Sequence, residues 1–186
     1  MKTKSICVYC GARTGNNPDY EKAAREFGNE IALLGWRLVY GAGNIGLMGE
    51  IASAVQCAGG ETLGVIPRYL ADREVMKTDL KQLILTETMH ERKKVMFMNA
   101  DIFALLPGGV GSLDEFFEVL TWTQLGLHDK PILLLNIANY WNPLLDLIQQ
   151  LISKSFTEHS LMDSIINCSN ISDAVHFLSN YQKSFS

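Results

Sequence analysis

The segment Pro107–Glu115, Pro-Gly-Gly-Val-Gly-Ser-Leu-Asp-Glu, brings together three glycines, a hydroxyl group and two carboxylates. It follows the apolar run Ile102–Leu106 and precedes residues of helical periodicity, so it predicts a turn from a strand into a helix. Glycine N–H groups can approach an anion without interference from a Cβ atom, and the helix N-terminus adds a partial positive charge. The pattern therefore predicts a phosphate-binding turn. It is not a P-loop, because the lysine that should follow the last glycine is absent.

Arg92 is the cation that could balance this phosphate and the carboxylates. At helical spacing, Arg92 and Lys93 share a face with Met89, and this face is otherwise apolar. A partly buried arginine needs an anionic partner, and both the phosphate and Glu115 are expected at the same edge of the fold. We therefore predict that Arg92 and Glu115 act together. The alternative is that residues 91–94 form a solvated run of charges.

Ser112 and Glu115 also allow a purely structural interpretation. Their Ser-x-x-Glu spacing is typical of a capping box, in which Glu115 would bond back to the Ser112 amide at the start of a helix. Against this, Asp114 and Glu115 would repel a bound phosphate unless a cation lies nearby, and Arg92 is available for that position. The sequence leaves both interpretations open.

A second glycine-rich turn, Gly41–Gly46, matches the G-x-G-x-x-G pattern of dinucleotide-binding folds. The acidic residue that should hold a ribose hydroxyl about 20 residues later is missing, since the next strand ends at Pro67 and Arg68. Arg68 could instead take a 2′-phosphate, which leaves an NADP-binding oxidoreductase as an alternative. The simplest interpretation is that these glycines let a helix pack closely against the sheet.

Both turns belong to a chain in which short β-rich runs alternate with longer helical segments. The predicted strands are Ser5–Tyr9, Arg37–Tyr40, Thr62–Ile66, Leu83–Thr86, Ile102–Leu106 and Ile132–Leu135, with a candidate seventh at Ser164–Asn167. The predicted helices are Tyr20–Leu34, Leu47–Ala58, Met89–Asn99, Leu113–Leu125, Asn142–Lys154 and Ser172–Leu178. We interpret this as a single Rossmann-like α/β domain over residues 1–186, a doubly wound parallel sheet with helices on both faces. The turns after its strands then meet at the carboxyl edge, where such folds bind ligands.

Composition limits the classes of function. With 186 residues, of which 47% are hydrophobic, the chain can bury one sizeable core. The net charge of −4 argues against nucleic acid as a partner. No apolar run is long enough to span a membrane, so we expect a soluble, cytoplasmic protein.

Cys7 and Cys10 have the spacing of a redox or zinc pair, but their odd separation places the side chains on opposite faces of a strand, so we expect no metal and no cofactor. The connection Pro67–Lys81 is unusually long, and its charges predict exposure to solvent.

The residues around both turns resemble the LONELY GUY family of cytokinin-activating phosphoribohydrolases, a group also labelled lysine decarboxylase-like. The signature of that family, PGGxGTxxE, is matched by Pro107–Glu115 with Ser112 in place of threonine. Its Met-His-x-Arg-Lys motif is matched by Met89–Lys93. Similar flanking sequence occurs at Val39–Gly49 and Gln124–Pro131, so the resemblance covers nearly the whole chain.

This resemblance implies hydrolysis of the N-glycosidic bond of AMP or N6-prenylated AMP, with Arg92 and Glu115 as the catalytic residues. Serine at position 112 keeps the hydroxyl group of the family's threonine, whereas Ala42 replaces a glycine of the plant members. The resemblance also implies a homodimer, which suits a helix at Leu113–Leu125 that is apolar on more faces than one core needs. The implied substrate-binding residues are Glu74, Met89, Arg92, Lys93, Gly108, Gly109, Val110, Gly111, Ser112, Leu113, Asp114, Thr121, Gly41 and Gly43.

Two other functions remain open. Pyridoxal phosphate-dependent decarboxylation of lysine needs a lysine for the Schiff base and a partner for the pyridinium nitrogen, and no motif specifies either. A non-catalytic nucleotide-binding or carrier protein could share the fold and the phosphate turn. The presence of both Arg92 and Glu115 favours catalysis. Glu115 would stabilise an oxocarbenium-like state and act as a base toward water, while Arg92 would keep that carboxylate ionised.

Overall fold

The computed structural model describes residues 3–71 and 75–183. In this part of the chain, seven strands form one sheet in which all neighbouring strands are parallel. In chain order they are β1 Ser5–Tyr9, β2 Arg37–Tyr40, β3 Glu61–Pro67, β4 Gln82–Thr86, β5 Ile102–Leu105, β6 Ile132–Leu135 and β7 Ile165–Cys168. The predicted strands are confirmed, including the candidate seventh, whose ends lie slightly further along the chain than expected.

The strand order is β4-β3-β2-β1-β5-β6-β7, so the sheet grows outward from β1 in two directions. Cys7 of β1 is paired with Val39 of β2 on one side and with Phe103 of β5 on the other. The order therefore reverses between β1 and β5. In open α/β sheets this is the point at which ligands bind. The predicted doubly wound parallel sheet is confirmed.

Helices cover both faces of this sheet. They are α1 Pro18–Leu33, α2 Gly46–Cys57, α3 Arg68–Ala71, α4 Met89–Met98, α5 Val110–Gln124, α6 Asn142–Ser153 and α7 Ile171–Lys183, with 3₁₀ turns at Ile137–Asn139 and His159–Ser164. Side chains of α1, α2 and α7 form a core on one face of the sheet, and those of α4, α5 and α6 form a second core on the other. Cys10 lies in the first core and Cys7 in the second, which confirms their predicted separation. Among the described residues, no helix combines the length and apolar character needed to cross a membrane.

The helix after β5 begins earlier than the sequence pattern predicts. Its first residue is Val110 rather than Leu113, and Gly109 occupies the N-cap. Ser112 therefore lies inside the first turn of α5, and the interpretation of Ser112 and Glu115 as a capping box is wrong. The physical reason is that glycine serves as an N-cap without a side-chain hydrogen bond, so periodicity alone placed the start of the helix too late. As a consequence, the glycine-rich segment itself carries the exposed N–H groups of a helix N-terminus.

The connection between β3 and β4 is partly buried, contrary to the expectation of an exposed loop. Residues 75–77, which we call the strap, cross the turn that follows β2. The Asn44 amide donates a hydrogen bond to the Val75 carbonyl at 3.0 Å. The Lys77 amide donates to the Ala42 carbonyl at 2.9 Å. Lys77 can be buried because its ammonium group lies 3.2 Å from Oδ1 of Asp79 and 3.4 Å from the side-chain oxygen of Asn44.

Candidate functional site

A cavity of about 970 Å³ opens at the carboxyl edge of the sheet, where β1 and β5 end. The Gly11 amide donates a hydrogen bond to the Pro107 carbonyl at 3.0 Å, so the turns that follow these two strands lie side by side. The volume falls in the range of pockets that hold small molecules. The strand order therefore brings a cavity to the position that the sequence predicted for the ligand.

Most of the predicted site residues meet at this cavity. Those that line it are Gly41, Met89, Arg92, Gly108, Gly109, Gly111, Ser112, Asp114 and Glu115. The predicted residues that lie outside the lining are Gly43, Lys93, Val110, Leu113 and Thr121. Of these, Val110 is 84% exposed, Leu113 packs against the second core, and Thr121 is exposed near the far end of α5. Glu74 lies outside the described residues.

One wall of the cavity is formed by the turn after β5 and the first turn of α5. Gly109 and Gly111 are exposed, and apart from the adjoining backbone no heavy atom of the described residues lies within 4 Å of where a Cβ would stand at either position. An anion can therefore approach the backbone N–H groups at the helix N-terminus. Gly108 has a different reason to lack a side chain, because a Cβ there would overlap the hydroxyl oxygen of Ser112. Ser112 is 4% exposed, so its hydroxyl group is fixed at the cavity surface.

Arg92 lines the cavity and is only 5% exposed. Its Nε donates a hydrogen bond to the Val65 carbonyl at 3.1 Å, and its Nη2 donates to the Gly41 carbonyl at 2.9 Å. These carbonyl groups lie at the ends of β3 and β2, so the sheet edge fixes the orientation of the guanidinium group. The interpretation as a solvated charge is therefore wrong for Arg92. A buried cation held in this way exerts a strong field on groups in the cavity.

The turn after β2 makes room for Arg92. A Cβ at Gly41 would overlap Nη2 of Arg92, and a Cβ at Gly43 would lie 2.6 Å from the terminal methyl group of Met48. The strap forms hydrogen bonds with the backbone of the same turn. Because protein atoms already occupy these positions, the geometry disfavours a dinucleotide at this turn, and with it the NADP alternative. The glycines serve close packing, as the simplest interpretation of the sequence predicted.

Lys93 is bound to α5 by two carboxylates. Its Nζ lies 3.1 Å from Oδ2 of Asp114 and 3.0 Å from Oε2 of Glu118. Partial burial lowers the pKa of Lys93, but the hydrogen bonds and charges of Glu118 and Asp114 outweigh this effect, and the pKa is raised. The ammonium group is therefore protonated near neutral pH and compensates the charge of Asp114 at the cavity wall. A protonated amine cannot form a Schiff base without first losing its proton.

Glu115 follows the phosphate turn on α5 and lines the cavity near the end of β1. The pKa values of Cys7 and Cys10 are both raised. The largest cause is burial, and the second is the negative charge of Glu115. The positive charge of Arg92 acts in the opposite direction on the pKa of Cys7. Arg92 and Glu115 therefore act with opposite sign on the same buried thiol of β1. Cys10 lines the cavity as a neutral thiol, so it contributes shape rather than a nucleophile.

The sequence did not predict a second wall of the cavity. It is formed by residues 11–16, in the turn after β1, together with Tyr20 and Tyr140. The two tyrosine rings pack edge to face with centroids 5.3 Å apart, and the Tyr140 hydroxyl donates a hydrogen bond to the Gly108 carbonyl at 2.6 Å. The two residues before Tyr140 have left-handed backbone conformations, with φ of 51° and 61°. In the sequence, Gly11 marks a turn after the first strand, but no local pattern marks Tyr140.

Comparison with known proteins places the chain in a family. The family model described as "Possible lysine decarboxylase" matches residues 48–178. Cytokinin riboside 5′-monophosphate phosphoribohydrolase LOG7 of Arabidopsis thaliana is 41% identical over 182 residues, which cover 98% of this chain and 84% of that protein. Cytokinin riboside 5′-monophosphate phosphoribohydrolase LOG of Oryza sativa subsp. japonica is 42% identical over 178 residues, which cover 96% of this chain and 74% of that protein.

Solved structures with the same fold include proteins with another role. The molybdenum cofactor carrier protein of Chlamydomonas reinhardtii has a TM-score of 0.75 at 20% identity, over 96% of this chain and 98% of that chain. The molybdenum cofactor binding protein of Rippkaea orientalis has a TM-score of 0.72 at 22% identity, over 97% and 98% of the two chains. At such identities the likeness shows the fold alone, whereas the sequence matches extend over nearly the whole chain. The protein therefore belongs to the lysine decarboxylase-like family that includes the cytokinin riboside 5′-monophosphate phosphoribohydrolases.

Proposed function

We propose that this protein hydrolyses the N-glycosidic bond of AMP or of an N6-prenylated AMP, releasing the free base and ribose 5-phosphate. The observation that carries the proposal is the placement of Arg92, Glu115 and the N-terminus of α5 around one cavity. The helix N-terminus provides donors for a phosphate, and the two side chains provide opposite charges for bond cleavage. The names of the relatives from Arabidopsis thaliana and Oryza sativa support the same class of substrate.

The 5′-phosphate binds at the first turn of α5. Backbone N–H groups at Gly109 and Gly111 and the hydroxyl group of Ser112 are the donors, because no protein side chain in the described structure covers the two glycines. Asp114 would repel the phosphate, but Lys93 compensates its charge at 3.1 Å. Lys93 thus supports substrate binding through Asp114 rather than by contact with the nucleotide.

Cleavage passes through an oxocarbenium-like state at C1′, so a carboxylate near this carbon lowers the barrier. Glu115 supplies this charge and accepts a proton from the water molecule whose oxygen bonds to C1′. The electron pair of the broken bond leaves with the purine nitrogen, and the base takes up a proton. Arg92 lines the same cavity, and its positive charge attracts the carboxylate of Glu115. Because two backbone carbonyl groups fix Arg92, this charge needs no reorganisation during the reaction.

Chromatography of reactions with AMP and with isopentenyladenosine monophosphate tests the proposal. The wild-type protein is expected to release free base, whereas Glu115→Gln keeps nucleotide binding and loses turnover by at least about 100-fold. Glu26→Gln is the matched control, since Glu26 is exposed on the helix α1, lies 3.8 Å from Lys22 and is outside the cavity lining. Intact turnover in Glu115→Gln would overturn the role of this carboxylate. Binding without any release of base by the wild type would favour a carrier.

The alternatives from the sequence have less support. Among the described residues that line the cavity there is no lysine, and Lys93 beside it is held as an ammonium ion by two carboxylates. These observations disfavour decarboxylation through a pyridoxal phosphate Schiff base. A carrier function is supported only by the shared fold of two solved structures, whose sequences are 20–22% identical to this chain.

We also propose a homodimer and a cytoplasmic location. Helix α5 buries Phe116, Val119 and Leu120 in the second core, while Leu125 and Leu127 just after it are both 66% exposed. An association between two copies that covers these two leucines would bury apolar surface that the core leaves exposed. Light scattering during size-exclusion chromatography measures the mass in solution, and a fluorescent fusion reports the location.

A further inference from the structure

The cations of the cavity differ in how firmly they are held. Among the described lining residues, the positive charges belong to Arg13 and Arg92. The negative charges belong to Asp114 and Glu115. Arg92 is buried and donates hydrogen bonds to two backbone carbonyl groups, whereas Arg13 is exposed in the turn after β1. Arg13 is therefore the lining cation whose side chain can reorient toward an incoming anion.

The backbone of Arg13 lies where three turns meet. A Cβ at Gly11 would stand 2.8 Å from the Arg13 carbonyl oxygen and 3.5 Å from the Cα of Gly108 in the phosphate turn. A Cβ at Gly46, the first residue of α2, would overlap the Arg13 amide nitrogen. These close approaches fix the position of residue 13 beside the phosphate turn. The guanidinium group thus shares a cavity mouth with the N-terminus of α5.

The substrate brings more negative charge than the helix N-terminus can balance. A phosphate monoester carries between one and two negative charges near neutral pH, while a helix N-terminus provides only about half a positive charge. Lys93 does not contribute, because Asp114 and Glu118 already bind its ammonium group. Arginine matches the geometry of phosphate with two parallel N–H donors. Arg13 therefore has the charge, the geometry and the location that phosphate recognition requires.

We propose that Arg13 is a specificity-determining residue, which pairs with the 5′-phosphate and makes the site select nucleoside monophosphates over nucleosides. The inference rests on the proposed function, because it names the group on that substrate which Arg13 recognises. Arg13 acts at the mouth of the cavity and takes no part in bond cleavage. Its loss therefore affects KM and leaves the chemical step to Arg92 and Glu115.

Kinetics with AMP and adenosine test this role. Arg13→Gln is expected to raise the KM for AMP about tenfold, on the scale of one charge-assisted contact, without a matching fall in kcat. The preference for AMP over adenosine, measured as the ratio of kcat/KM values, falls by the same factor, and Arg13→Lys restores part of it. Arg68→Gln is the matched control, because Arg68 is exposed, pairs with Glu87 and lies outside the cavity lining. An equal loss with both substrates would overturn the proposal.

Calorimetric titration with ribose 5-phosphate separates this inference from the proposed function. Arg13→Gln is expected to bind ribose 5-phosphate about tenfold more weakly than the wild type. This binding measurement holds whether or not the protein cleaves any nucleotide. An unchanged affinity for ribose 5-phosphate in Arg13→Gln overturns the role of Arg13, whereas a lack of hydrolysis by the wild type overturns the proposed function alone.

Discussion

The two glycine-rich turns at the carboxyl edge are similar in composition and opposite in their surroundings. In the turn at residues 41–46, Arg92 fills the space beside Gly41 and Met48 fills the space beside Gly43. In the turn at residues 107–112, the spaces beside Gly109 and Gly111 are open among the described residues. The first turn therefore needs glycine because of protein side chains. The second can use glycine to admit a ligand.

Hydrogen bonding separates the two turns in the same way. In the first turn, the strap and the guanidinium group of Arg92 engage the backbone. In the second, the N–H groups of the first turn of α5 face a cavity. A G-x-G-x-x-G pattern is thus weak evidence for a nucleotide, because the same glycines can serve internal packing. What fills the space beside each glycine decides between the two.

Gly41→Ala is expected to have the largest effect on this comparison. The added methyl group overlaps Nη2 of Arg92, so the guanidinium group must leave the Gly41 carbonyl. Losing a buried hydrogen bond from a charged donor costs about 2–3 kcal/mol, which lowers Tm by about 4–12 °C. A displaced Arg92 also reduces kcat for AMP by about 100-fold, the scale of a misplacement of about 1 Å. Calorimetry and the AMP assay measure both changes.

If Gly41→Ala kept both the Tm and the kcat of the wild type, the first turn would not position Arg92 as described. Lys22→Gly in the helix α1 provides a control for a general loss of stability. Lys22 is exposed, pairs with Glu26 one turn later and lies outside the cavity lining. Its replacement costs about 1 kcal/mol, mainly through helix propensity. This control is expected to lower Tm without a fall in kcat.

Gly111→Ala is expected to have an intermediate effect that is confined to the ligand. Apart from the adjoining backbone, no heavy atom of the described residues lies within 4 Å of the new methyl group, so Tm stays the same or rises through the higher helix propensity of alanine. The methyl group stands at the wall where the phosphate approaches the backbone, so KM for AMP rises about tenfold, on the scale of one lost charge-assisted contact. Thermal unfolding and steady-state kinetics give the two readouts. A lower Tm in this variant would show that folding needs glycine at position 111 as well as at position 108.

The fold and one wall of the site could be predicted because their signals are local. Apolar β-rich runs mark the strands, and Pro107–Glu115 marks the phosphate turn within nine consecutive residues. The second wall could not, since Tyr140 meets Gly108 across 32 positions of the chain. The contact between Lys77 and Asn44 likewise joins residues that are 33 positions apart. Local patterns do not specify which distant residues meet.

The helix start at Val110 shows a second limit of local patterns. Ser112 and Glu115 have the spacing of a capping box, yet the helix begins at a glycine N-cap instead. A helix that began at Leu113, as the sequence pattern predicted, would leave the N–H groups of residues 110–112 outside its first turn. By contrast, Arg92 could be placed at the site because its apolar helix face made an exposed position unfavourable, and the structure confirms its burial.

Val75→Gly is expected to have the smallest effect and sharpens the comparison at the strap. Val75 has a φ of 46° and is 53% exposed. A left-handed conformation costs a residue with a Cβ about 1–2 kcal/mol, whereas the freedom of glycine in the unfolded chain costs about 0.4–1 kcal/mol. Since little apolar surface is lost, we expect a net gain of about 0.5–1 kcal/mol and a rise in Tm of about 1–4 °C.

The KM of Val75→Gly for AMP tests whether the strap and the first turn take part in ligand binding, which its Tm alone does not. The strap binds the backbone of the first turn, and the Val75 carbonyl that accepts the Asn44 amide is retained in the variant. Relief of strain there should leave the KM for AMP unchanged, because the phosphate binds at the second turn. Val75→Ala keeps the Cβ and is the control that should gain less stability. If KM rose in Val75→Gly while Tm also rose, the strap would take part in ligand binding, and the first turn could no longer be assigned to internal packing alone.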